Sequence, residues 1–274
     1  MSTLNAWTGG VFITGTDTEV GKSLVAAALI WRSRLGGHHT VGFKPVVAGT
    51  TLNAQGVRVN EDLETLLLAS LAEPCAHPSA QTSNRTSAPT STPPWARQSS
   101  RSPPHLTAPS ICPYILDDPA APHLVAQDRG IELNLDVMVR GYQSLADHYD
   151  TVVVEGAGGF LVPINAHQSL ADFAQVVNLP VVMVVGMRLG CINHALLTQE
   201  SIASRGLPLL GWVANCLQPD MPHLEGNLIT LQSRLKAPLL GRIPCLGAEH
   251  LQTHSPGCGA YTLEGIAFAA EHLK

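Results

Sequence analysis

Nine consecutive residues, Gly15-Thr16-Asp17-Thr18-Glu19-Val20-Gly21-Lys22-Ser23, have the types that phosphate chemistry needs. Glycines let backbone N–H groups close around phosphate oxygens, a lysine reaches the β and γ phosphates, and a hydroxyl can hold Mg²⁺. An apolar run, Val11 to Thr14, precedes the loop, and a helical pattern from Val20 follows it, so the helix dipole adds to an anion site. The common phosphate loop has four residues between its first glycine and the Gly-Lys pair; here there are five. Further along, Lys44 lies in Gly42-Phe43-Lys44-Pro45-Val46 at the end of a strand-like segment. It is either a lysine meeting an anion or a surface lysine on an edge. Thr151 to Val154 lead into Glu155-Gly156-Ala157-Gly158-Gly159, an acid at a strand end followed by small residues. That order suits a carboxylate fixed near Mg²⁺ beside a backbone that ligands approach closely. Arg188 to His194 open a helix whose free N–H groups suit a carboxylate. In that stretch Cys191 reads as packing and His194 as structural or solvated. Asn215 ends another strand, and its amide either reads the edge of adenine or makes a turn. Pro244-Cys245-Leu246 follow a last strand as a candidate wall for the base.

These residues need elements that bring them together. Outside one segment, apolar strands alternate with helices. The strands are expected at 11–14, 41–47, 151–155, 180–185, 209–215 and 239–243. The helices are expected at 20–35, 61–71, 133–148, 169–178, 192–204, 223–235 and 262–273. Uniformly apolar strands with intervening helices imply a doubly wound α/β domain, a mostly parallel sheet with helices on both faces. Ligands then bind beyond the carboxyl ends of the strands, where the candidate residues lie. The exception is 74–110, which holds eight Pro, eight Ser and five Thr and no acidic residue. It reads as an irregular or disordered insert in a single P-loop domain spanning 1–274.

Composition narrows the functions. Net charge is −5, which offers no general attraction to nucleic acid. No apolar run is long enough to span a bilayer, and with about ten residues before the first strand no signal peptide is expected. Six cysteines without metal-like spacing read as cytosolic thiols, so a cytoplasmic protein is expected.

The motifs together resemble dethiobiotin synthetase. The matching blocks are TGTDTEVGKS (14–23), GFKPV (42–46), CPYILDDPAAPH (112–123), VEGAGG (154–159) and ADF (171–173). LGCINHA (189–195), GWVAN (211–215) and APLLGRIP (237–244) complete the series. The resemblance covers nearly the whole chain except the insert. It implies an ATP- and Mg²⁺-dependent ligase of biotin biosynthesis that makes the ureido ring from 7,8-diaminopelargonate and CO₂. It implies Lys22 and Lys44 as catalytic residues and Ser23, Asp62 and Glu155 as Mg²⁺ ligands. Nucleotide contacts are implied for Thr16, Asp17, Glu19, Val20, Gly21, Lys22, Ser23 and Leu24, and for Asp62, Glu155, Gly156, Ala157 and Gly158. Asn215, Cys216, Pro244, Cys245 and Leu246 are implied on the base side. Substrate contacts are implied for Thr18, Lys44, Ala48, Gly158, Gly190, Cys191, Ile192 and Asn193. The last four serve the partner subunit's site in a homodimer.

The chain departs from the family pattern at several positions. Ala48 stands where the family places a serine, with Thr50 as a candidate substitute. Arg188 replaces a lysine, Cys216 an aspartate, and Glu249 is the nearest match for an acidic nucleotide contact. These departures leave room for an impaired homologue. A partitioning or switch ATPase of the same fold is the other alternative; such proteins carry a second lysine where this chain has Asp17.

Overall fold

A computed structural model describes residues 9–53, 55–73, 105–252 and 260–274. Strand β1 (Gly9–Gly15) is buried along almost its whole length and leads through the glycine loop into helix α1 (Lys22–Leu35). Strand β2 (Thr40–Phe43) is followed by two short pieces, β3 (Val47–Ala48) and β4 (Thr51–Leu52); β4 pairs in antiparallel fashion with β5 (Arg58–Val59). Helix α2 (Glu61–Leu71) comes next. After the undescribed stretch come α3 (Ala108–Ile111), β6 (Ile115–Leu116), α4 (Pro122–Asp128) and α5 (Leu135–Ala146). The remainder runs β7 (Thr151–Gly159), α6 (Leu170–Val177), β8 (Val181–Met187), α7 (Cys191–Ser204) and β9 (Leu209–Cys216). It ends with α8 (Leu224–Arg234), β10 (Leu239–Ile243) and α9 (Leu263–Glu271).

Six strands form one parallel sheet in the order β10-β9-β8-β1-β7-β2. This is the doubly wound α/β, P-loop type of sheet expected from the sequence. Strand β1 lies between β7 and β8, so chain order reverses beside the glycine loop, and a crevice opens there at the carboxyl ends. Helix α1 is buried from Lys22 to Trp31, because it packs against the sheet while α2 and α9 flank it. On the sheet, Phe173 of α6 meets Phe12 and Phe43, with ring centroids 6.3 and 6.2 Å apart.

The sequence places the helices well where a polar residue caps them. Asn60 begins α2 by accepting from the Asp62 and Leu63 amides, and Asn134 begins α5 by accepting from Asp136. Helix α1 starts two residues later than expected, because Gly21 takes a left-handed conformation (φ 86°) at its N-terminus. The expected 41–47 strand stops at Phe43. Lys44 N–H turns to the Ile111 carbonyl (2.9 Å), and Val47 and Ala48 pair with Ile115 and Leu116 instead. The 151–155 strand runs on to Gly159, since glycines allow a register shift that pairs Gly159 with Gly15. Helices α3 and α4 and the β4–β5 hairpin were not foreseen. The insert expectation covers 74–110, of which 74–104 lie outside the described residues. Residues 105–110 are ordered: Leu106 is buried, and Ser110 closes a capping box with Thr107 ahead of the buried Ile111.

Candidate active site

The carboxyl ends of β1, β2 and β7 bring Ser23, Lys44 and Glu155 to one point, and the first turn of α2 adds Asp62. Lys44 Nζ lies 2.6 Å from Glu155 Oε1 and 2.9 Å from Asp62 Oδ2. Ser23 Oγ lies 2.6 Å from Asp62 Oδ1 and 2.7 Å from Glu155 Oε1. With one proton, the hydroxyl donates to only one of them at a time. Lys44 and Glu155 are fully buried. Burial pulls the Lys44 ammonium down, but the charges of Asp62 and Glu155 outweigh it and hold Lys44 above the ordinary lysine range. Burial would raise Asp62, yet Lys44 and the Ser23 hydroxyl hold it below the usual carboxylate range. Glu155 goes the other way: burial pushes it up more than Lys44 draws it down.

Glu155 Oε2 is buried and has no hydrogen-bond partner. Leaving such an acceptor bare is costly unless a ligand completes it. Three oxygens, from Ser23, Asp62 and Glu155, converge beside it. That oxygen-only set fits a magnesium ion, which keeps several waters and takes only one or two carboxylates. Among the described residues, no group of three or more His, Cys, Asp or Glu forms a metal cluster. A magnesium ion that keeps several waters would not need one.

The cluster forms the floor of a cavity of about 770 Å³. Of the expected residues, Thr18, Glu19, Gly21, Lys22, Ser23, Lys44, Ala48, Asp62, Glu155, Ala157 and Gly158 line it. Lys22 Nζ rests on the Asp17 carbonyl (3.0 Å), and burial, helped by the charge of Lys44, pulls its pKa down to about 8. Thr16, Asp17, Val20 and Leu24 shape the loop behind this wall. Thr16 N–H bonds the Val184 carbonyl (3.0 Å), and Val20 and Leu24 are buried. Gly156 is buried in β7.

The other expected residues lie outside this cavity. Asn215 sits under the loop, where its amide donates to the Val20 carbonyl at 3.0 Å. A Cβ on Gly21 would fall 2.1 Å from that amide nitrogen, so this glycine allows both the left-handed turn and the close approach. Cys216 ends β9 beside Met187, and Pro244, Cys245 and Leu246 follow β10 on the same side of the sheet. Gly190 (φ 93°) and Asn193 are exposed at the start of α7, with Ile192 half-buried. Cys191 is buried, its Sγ 3.8 Å from Asn227 Oδ1. Thr50 is held by Asp117 (3.3 Å) and Arg58 (3.1 Å) and does not line the cavity, so it supplies no hydroxyl in place of Ala48. The Glu249 side chain is exposed in a short 3-10 turn.

Sequence reading missed two walls. Pro119 to Pro122 close one side; that segment lay inside a matched block but carried no chemical group to single out. Tyr261 closes another, and burial pushes its phenol up to about 12. It reaches the site because Ala260 N–H bonds Thr65 Oγ1 (3.2 Å) on α2, a contact nearly two hundred residues apart in the chain.

A family profile described as an AAA domain matches residues 9–248. The ATP-dependent dethiobiotin synthetase BioD of Cellvibrio japonicus is 42% identical over 235 residues, covering 86% of this chain and 89% of that protein. The BioD of Aromatoleum aromaticum is 40% identical over 253 residues, covering 92% and 96%. Among solved structures, a ParA family ATPase from Chlorobium tepidum aligns with a TM-score of 0.53 at 14% identity. It covers 96% of this chain and 99% of that one, a likeness of fold alone. Identity of this size over most of both chains leads to one conclusion: the chain belongs to the ATP-dependent dethiobiotin synthetase family.

Proposed function

We propose that the chain closes the ureido ring of dethiobiotin from 7,8-diaminopelargonate, CO₂ and ATP, releasing ADP and phosphate. The observation that carries this reading is the Ser23–Lys44–Asp62–Glu155 cluster beside the phosphate loop, buried except for the half-exposed Asp62, with Glu155 Oε2 bare. One substrate amine must be uncharged to take up CO₂ as a carbamate, and Lys22 and Lys44 disfavour a further cation near them. The carbamate oxygen attacks the γ-phosphorus and ADP leaves. The second amine then attacks the carbonyl carbon of the mixed anhydride, closing the ring and expelling phosphate. Lys22 and Lys44 offset the charge on the transferring phosphoryl group. Ser23, Asp62 and Glu155 would hold the magnesium ion, which when bound neutralises charge on the nucleotide phosphates.

In this assignment Thr18, Ala48 and Gly158 face the diamine. The loop residues Thr16 to Leu24 and the Gly156–Gly158 backbone face the nucleotide. Asn215, Cys216 and the Pro244–Leu246 segment serve its base. Two copies pair, and Gly190 to Asn193 of one receive the substrate carboxylate of the other. Leu189, 99% exposed beside that helix start, supports a surface that a second copy covers. Sedimentation analysis at micromolar concentration should give a dimer; a monomer would reject the shared site. The free thiols of Cys112, Cys191, Cys216 and Cys245 support a cytoplasmic setting. Among the described residues, no helix is long and apolar enough to cross a membrane.

The test is to incubate the protein with ATP, Mg²⁺, bicarbonate and the diamine and look for dethiobiotin by mass. ATP turnover that ignores the diamine, with no product, would reject the reading.

A further inference from the structure

Strands β1 and β8 are parallel neighbours, with Gly15 opposite Val184. Their ends therefore deliver the phosphate loop and the turn before α7 side by side. Asp17, two residues past β1, accepts a hydrogen bond at each of its three oxygens. Its Oδ1 accepts the Thr18 N–H (2.8 Å), its Oδ2 accepts from Arg188 Nη2, and its backbone carbonyl accepts from Lys22 Nζ (3.0 Å). The backbone of Arg188, one residue past β8, is fixed where its carbonyl accepts the Cys191 N–H (3.0 Å) as α7 begins. A chain of contacts thus runs from the start of α7 through Arg188 and Asp17 to the lysine of the loop.

We infer that Arg188 is a positioning residue for the nucleotide, acting through Asp17 to set the phosphate loop. The inference rests on the ATP-dependent reading above. The contact is half-exposed, and an isolated exposed ion pair contributes little to stability. Its effect is instead on the loop: Asp17 is tethered at its side chain while its carbonyl holds Lys22, so freeing the carboxylate frees the lysine's resting place. Arginine suits this task, since its planar guanidinium aims a directed N–H at Asp17 Oδ2 where a lysine would act only as a point charge.

The test is a double-mutant cycle with Arg188→Gln, Asp17→Asn and the pair. Asp17→Asn keeps an acceptor for Thr18 and removes the charge facing Arg188. Each protein is titrated with a fluorescent ADP analogue and assayed for dethiobiotin with ATP and the diamine varied in turn. Each single variant should weaken ADP binding and raise KM for ATP about fivefold, with KM for the diamine unchanged. The pair should match the singles rather than reach about twenty-five-fold, because both changes break one contact. Arg188→Lys should recover part of the loss. Multiplying effects would mean that Arg188 meets the nucleotide directly, and a raised KM for the diamine alone would make it a substrate contact. Either result, or unchanged ADP binding, overturns the inference. If the unaltered protein makes no dethiobiotin, the ring-closure reading fails on its own, and the ADP titration still decides the role of Arg188.

Discussion

Lys44 is fully buried between two carboxylates, yet it remains charged, because Asp62 and Glu155 outweigh its burial. Removing that charge leaves the buried Glu155 and the half-buried Asp62 facing each other without a counter-ion, which costs stability as well as chemistry. Lys22 is half of the same electrostatic design, lowered by burial and by its neighbour. Lys22→Ala and Lys44→Ala should each lower kcat by at least about a hundredfold. Lys44→Ala should also lower the melting temperature, whereas Lys22→Ala, which leaves the Lys44 pair intact, should lower it less. Full turnover in Lys44→Ala would remove its assigned role. At this scale much was legible in the sequence. The loop TGTDTEVGKS, Lys44 and Glu155 stood out by residue type, and the fold brings Lys22, Lys44 and Glu155 to one cavity. Ala48 was legible as a departure, but the fate of Thr50 was not, since its bonds to Asp117 and Arg58 depend on a hairpin that only the fold creates.

The element that places Asp62 is α2, and Asn60 fixes where it starts. Its Oδ1 accepts the Asp62 and Leu63 amides (3.0 and 3.3 Å), and its Nδ2 donates to the Gly49 carbonyl. Asn60→Ala should cost about 1 kcal/mol of stability and weaken Mg²⁺-dependent nucleotide binding. Asn60→Asp, which keeps the cap but loses the donor to Gly49, should recover only part of the stability in a thermal melt. If Asn60→Ala melts normally and binds nucleotide normally, the cap does not place Asp62. Capped helices such as α2 and α5 were readable, because Asn side chains mark their starts. The end of β2 was overrun, although Pro45, which has no N–H to give a ladder, marked it. Tertiary contacts act there too: the Ile111 carbonyl claims the Lys44 amide, and β6 claims Val47 and Ala48.

Across the whole molecule, the candidate site borrows from distant parts of the chain. Residues 105–111 carry the buried Leu106 and Ile111 and anchor the Lys44 backbone. Deleting 76–103 should therefore leave melting temperature and turnover nearly unchanged. Extending the deletion through 111 should abolish both, by unseating Lys44. Equal effects from the two deletions would mean that this anchor is dispensable. The doubly wound sheet was legible, because uniformly apolar strands between helices admit few other arrangements. The Tyr261 wall was not, because no local pattern foretells which returning segment will close a cavity. The central claim is that this assembly joins bicarbonate-derived carbon to two amines at the expense of ATP. Its most direct test supplies isotopically labelled bicarbonate with ATP, Mg²⁺ and 7,8-diaminopelargonate and follows the label by mass spectrometry. Labelled dethiobiotin should form with one phosphate released per ring closed, and Glu155→Gln should nearly abolish it. Phosphate release without label in the ring would contradict the account.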